Sequence, residues 1–102
     1  MFEKIFGYGV SIRNLKGYDK NILATQELKS IGCSSSNSIV DIVRSDDANR
    51  PKLELLIQTL THNDRIDMYS IDTLLQGNSN KGIEYYSKII EKGIGLCAYS
   101  VP

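Results

Sequence analysis

The chain has 102 residues, which allows one small domain. Twelve Lys/Arg residues balance twelve Asp/Glu, so no overall field draws the chain to nucleic acid or to a membrane surface. Hydrophobic residues make up 41%, sufficient for a single core, and no apolar run approaches the length of a membrane span.

Residues 4–10 predict a first strand, apolar enough to be buried on both faces, with Ser11 at its carboxyl end as a turn residue. A polar segment follows, and a helix is predicted over about 19–30, with Ile22, Leu23, Leu28 and Ile31 on one side and Gly32 at its end. The SSSN run, 34–37, reads as a connector into a second strand over 38–43, which carries Ile39, Val40, Ile42 and Val43. The charged loop RSDDANRP, with Asp46 and Asp47 adjacent, leads to Pro51 in the first turn of a second helix. Its N-cap is Asn49 or Arg50, and Leu53, Leu56, Ile57 and Leu60 mark its buried face. The THND turn opens a third strand over 65–71. Polar QGNSNKG then begins a last helix, roughly 78–92, with Ile83, Tyr86, Ile89 and Ile90 expected to face inward and Gly93 to end it. Of Tyr85 and Tyr86, one is expected in the core and the other at the surface. Residues 94–99 predict a fourth strand.

Strands alternating with amphipathic helices imply βαβ units with right-handed crossovers. The fold class is therefore α/β: a small three-layer domain over residues 1–102 with a mostly parallel four-stranded sheet. In such sheets chemistry belongs at the carboxyl ends of the strands, here 11–14, 44–50, 72–76 and 99–102.

A phosphate loop needs a glycine-rich turn running into a helix, and GYGVSIRNLKG has neither GxGxxG nor GK[ST]. Asp72 closes the third strand as a phospho-acceptor would, but the first strand brings no acidic pair to hold magnesium. His62, the one histidine, sits in a turn at the amino end of the sheet, so a serine–histidine system has no base. Cys33 and Cys97 lack metal-ligand spacing and read as buried free thiols suited to a reducing cytoplasm. FEKIFGYGV mixes acid and base in its short apolar run, unlike a signal peptide. No metal, cofactor or membrane is expected.

Four blocks of the chain together resemble the catalytic domain of serine recombinases, the resolvase/invertase family. FGYGVS resembles that family's opening strand, which reads tyrosine, any residue, arginine, any residue, serine. ELKSIGC is similar to the end of its first helix, and DIVRSDDANRPKLELLI to its acidic loop, Arg-Pro pair and following helix. MYSIDTLLQGNSNKGIEYYSKIIEKGIGL resembles the segment with Asp-Arg and a second arginine, followed by a long helix. The resemblance implies a resolvase-like fold. It also implies a serine that attacks a DNA phosphodiester, with several arginines neutralising the phosphoryl charge and no metal.

On that pattern, counting from Tyr8 puts the arginine position at Val10 and the serine position at Ile12. Ser11 is one residue short, and a one-residue slip on a strand turns a side chain to the opposite face. Nine residues from Asp41 lead to Arg50, as in the family, but Arg44 and Ser45 stand at its Ser-Gly pair. Asp72 is kept, while Thr73 and Gln76 occupy the two arginine positions after the third strand. Loss of one charge-stabilising donor costs about 100- to 1000-fold in rate. The family's long dimerisation helix and DNA-binding domain would follow Pro102, and neither is in this sequence.

The resulting expectation is a catalytically degenerate recombinase-like domain, an interaction or regulatory module linked to recombination or a mobile element. Its partner would be a protein, a second copy or an active recombinase, with DNA at most a weak partner. The alternative is an atypical recombinase using Ser11 as nucleophile, with Arg50 and Asp72 in the site and Arg13, Arg44 and Arg50 as phosphate-binding candidates. Arg50 and Asp72 are also open to a purely structural role, as an ion pair bracing two loops.

Overall fold

The first strand carries glycine at two alternate positions, Gly7 and Gly9, and this shapes the domain. In the computed structural model, which describes residues 3–13, 21–44, 49–75 and 79–100, that strand is β1, Lys4–Arg13. It is followed by α1 (Asn21–Ser30), a single 3-10 turn (Ser35–Asn37), β2 (Ser38–Arg44) and α2 (Pro51–Thr59). Then come β3 (Asp64–Ser70), α3 (Asp72–Leu75), α4 (Ser79–Lys92) and β4 (Gly95–Ser100). The four strands pair in parallel in the order β2-β1-β3-β4. The chain thus changes direction across the sheet between β1 and β3, the switch point at which α/β sheets open a crevice.

One face of the sheet is covered by α1, the other by α2 and α4, which makes the three layers. Gly7 lets α1 approach β1 closely: a Cβ there would lie 2.6 Å from Cys33 Sγ and 3.2 Å from Leu28. On the opposite face Tyr8, Leu53, Leu56, Ile66, Met68 and Ile89 form the centre of the core, all 6% exposed or less. Each such side chain contributes about 1.5–3 kcal/mol by leaving water. Helices α1 and α4 end as expected at Gly32 and Gly93, which take φ of +91° and +77°. Each closes a helix with paired N–H bonds back to its last turn, Cys33 to Leu28 and Ile94 to Ile89.

Three expectations need correction. First, β1 runs on to Arg13, so Ser11 lies within a strand and is not a turn residue. Second, Ile71 ends no strand, and a short helix, α3, begins at Asp72. Third, α4 is rotated from the orientation expected: Gly82, Tyr85 and Ile89 face inward, while Ile83, Tyr86 and Ile90 are exposed. The cause is polar. Tyr85 turns its hydroxyl to Glu54 of α2 at 2.8 Å, and Lys92 donates to the Gln58 carbonyl at the end of α2 at 2.8 Å. Gly82 meanwhile lets α4 rest on the backbone of α3. Residues 14–20, 45–48 and 76–78, which include Asp46, Asp47 and Gln76, lie outside the described residues.

Candidate functional site

Side chains alternate across a strand, so Gly7, Gly9 and Ser11 point to the α1 face of β1, and Tyr8 and Val10 to the α2 face. Ser11 is fully buried on its side, in register with Ile42 of β2.

On the other side lies a closed polar network. The Tyr8 hydroxyl donates to Asp41 Oδ2 at 2.7 Å. Asp41 in turn accepts the backbone N–H groups of Lys52 and Leu53 at 3.0 and 3.1 Å, the first turn of α2. Arg50, 3% exposed, donates its backbone N–H to the Tyr85 hydroxyl at 3.0 Å and Nη1 to the Asn49 carbonyl at 3.1 Å. Burial drives the Tyr8 hydroxyl far above the ordinary tyrosine range, reinforced by the Asp41 carboxylate and opposed by the Arg50 charge. Burial and the hydrogen bond to Glu54 push Tyr85 up to about 12, again opposed by Arg50. Arg50 therefore serves as the counter-charge of an interior network that ties β1, β2, α2 and α4 together.

Asp72 sits apart from this network. It is exposed at the start of α3, where its N–H donates to Ser70 Oγ at 3.2 Å. It borders a crevice of about 290 Å³ at the switch point, walled by Gly9, Glu27, Tyr69, Ser70 and Thr73. The charged side chains described there are both carboxylates, Glu27 and Asp72, and burial raises the Glu27 pKa. Among the described residues the lining therefore offers a phosphate negative charge and no cation. Arg13 and Arg44 are register partners at the ends of β1 and β2, and their side chains lie outside the described residues.

The structure thus brings Tyr8, Asp41 and Arg50 together, but separates them by the sheet from Ser11 and by position from Asp72. His62 is exposed at the amino end of β3, as expected, and Cys33 and Cys97 are free and half-buried. Among the described residues, no group of histidine, cysteine, aspartate and glutamate is arranged to hold a metal ion. No described helix is long and apolar enough to cross a membrane.

A second polar cluster was missed. Arg65 and Asp67, two residues apart on β3, form a forked pair on the α1 face, Nε to Oδ1 at 2.6 Å and Nη2 to Oδ2 at 3.1 Å. Tyr99 of β4 adds its hydroxyl to Asp67 Oδ2 at 3.2 Å. The alternation in RIDMY carries the signal: Arg65, Asp67 and Tyr69 fall on one face, Ile66 and Met68 on the other. No protein-family model matches the chain, and no curated protein matches it.

Proposed function

We propose that this chain is a degenerate recombinase-like domain that does not cleave DNA and acts through protein contacts, as an interaction or regulatory module of a recombination system or mobile element. One observation carries the reading: the hydroxyl that would attack and the buried arginine that would steady the phosphate are on opposite faces of β1. Phosphoryl transfer by a serine needs both on the same phosphate. The carboxylate-lined crevice at the switch point and the zero net charge support the same conclusion. The free thiols fit a reducing cytoplasm as its place of action.

Incubation with supercoiled DNA, followed by denaturing electrophoresis, tests the reading. The expected result is intact DNA and no covalent protein–DNA adduct. An adduct that disappears in Ser11→Ala would establish the alternative, an atypical recombinase with Ser11 as nucleophile.

A further inference from the structure

We propose that the outer edge of β4 and the adjoining stripe of α4 form an interface with a second copy of this chain, related by a two-fold axis between the two copies of Cys97. This holds whether or not the domain cleaves DNA, and its test reads mass and cross-linking instead of cleavage.

Among the described residues nothing pairs with the outer edge of β4. Exposed edges are normally guarded by charge, proline or a bulge. The sequence of β4, GLCAYS, has no charge and no proline, whereas the opposite edge, β2, ends in Arg44. An uncharged strand can meet its own copy without like charges facing each other.

The neighbouring helix continues the same surface. Ile83, Tyr86 and Ile90 are 56%, 44% and 52% exposed, too much for core residues, yet they form one apolar row. At about 100° per residue, Tyr85 and Lys92 point to α2, which leaves this row on the side away from α2, above the β4 edge. Tyr99, 48% exposed, flanks the edge on the other face of the sheet.

A two-fold axis normal to the sheet fits these features to themselves. Opposed residues of an antiparallel pair point to the same face, so the axis passes midway between two copies of one residue and not between neighbouring residues. With the two copies of Cys97 facing each other across the axis, Gly95 faces Tyr99 of the second copy, so the bulkiest residue of the edge meets the smallest. Leu96 then faces Ala98 of the second copy. Because α4 packs on β4 and its Tyr85 and Ile89 share the core with Ile66 and Met68 of β3, a position between the two strands with a spacing of about 4.8 Å sets the two α4 helices roughly 10 Å apart, a normal packing distance. Running antiparallel, they bring Ile83 against Ile90 of the second copy around a central pair of Tyr86 rings. The exposed parts of Ile83, Tyr86, Ile90 and Tyr99 offer on the order of 100 Å² each, about half the ~800 Å² per partner of a standard interface. The strand backbones supply much of the remainder.

Sedimentation equilibrium of the full chain is expected to give a dimer at micromolar concentration. Replacing Ile83→Lys and Ile90→Lys together should weaken it by more than about 100-fold while leaving the far-ultraviolet circular dichroism unchanged, since both positions are exposed. Mild oxidation with diamide should join two chains through Cys97, whose opposed Cβ atoms would lie about 5 Å apart, close to disulfide reach. The cross-link should persist in Cys33→Ser and vanish in Cys97→Ser. A monomer throughout, a dimer untouched by the lysine pair, or a cross-link through Cys33 would each overturn the proposal.

Discussion

The phenol of Tyr8, on β1, donates at 2.7 Å to the carboxylate of Asp41, on β2, and both side chains are closed to solvent. The same carboxylate holds two N–H groups of the first turn of α2, while the N-cap residue, Arg50, makes no side-chain cap of its own. A strand residue thus caps the helix that follows it and fixes α2 to the sheet. Asp41→Ala is expected to cost about 3 kcal/mol, roughly one for the lost cap and the rest for a buried hydroxyl left without its acceptor. Tyr8→Phe should cost about 1 kcal/mol. In urea denaturation the double variant should lose less than the sum of the two, since the hydroxyl penalty is then absent.

The same network predicts alkaline instability. Tyr8 and Tyr85 both titrate higher in the folded protein than the ordinary value of 10.0, chiefly through burial. A raised pKa means that the folded state holds its proton where the unfolded chain has released it. The contribution is therefore complete below pH 10 and declines as pH rises beyond it, through about 12 for Tyr85. Stability measured from pH 8 to 11.5 should be flat at first and then fall. In Tyr8→Phe the fall should be shallower, and phenolate absorbance from that residue should be missing from the unfolding step.

Helix propensity and packing oppose each other at Gly82. At the end of the first turn of α4, alanine would gain up to about 1 kcal/mol of propensity over glycine. Here, however, an added Cβ would run into the carbonyl of Leu74, backbone that has little room to move. Overpacking of this kind costs about 1–3 kcal/mol, and contact with rigid backbone belongs at the upper end. Gly82→Ala should be destabilising by about 1–2 kcal/mol net, read as a lower urea midpoint. An equally stable or more stable variant would mean that α3 is free to shift.

Much of the fold was legible because its signals are local and periodic. Pro51 with Leu53, Leu56 and Ile57 marked α2, and Gly32 and Gly93 marked two helix ends by the left-handed conformation that each adopts. The rotation of α4 was not legible. Ile83, Tyr86 and Ile90 outweigh Tyr85 in hydrophobicity, and what turns Tyr85 inward is a hydroxyl bond to Glu54, 31 residues away in sequence. The polar interior escaped for the same reason. Asp41 interrupts an apolar strand without showing which N–H groups it will hold, since those belong to α2. Ser11 illustrates the opposite case. Its displacement by one position was visible in the residues, and strand alternation converts that displacement into burial on the far face.

The forked pair on β3 gives the last prediction. Asp67 is 3% exposed and accepts from Arg65 and Tyr99, so its charge is compensated only while Arg65 is present. Removing one partner of a buried pair costs about 3–5 kcal/mol, because the remaining charge stays away from water. The Arg65 side chain is 27% exposed, which lets water reach the pair and lowers the expectation to about 2 kcal/mol for Arg65→Ala. Replacing both residues with apolar ones, Arg65→Met with Asp67→Leu, removes the stranded charge and should return most of that loss. Thermal and urea unfolding of the two variants check the argument. If the double variant were the less stable of the two, the pair would be contributing attraction beyond compensation of its own burial.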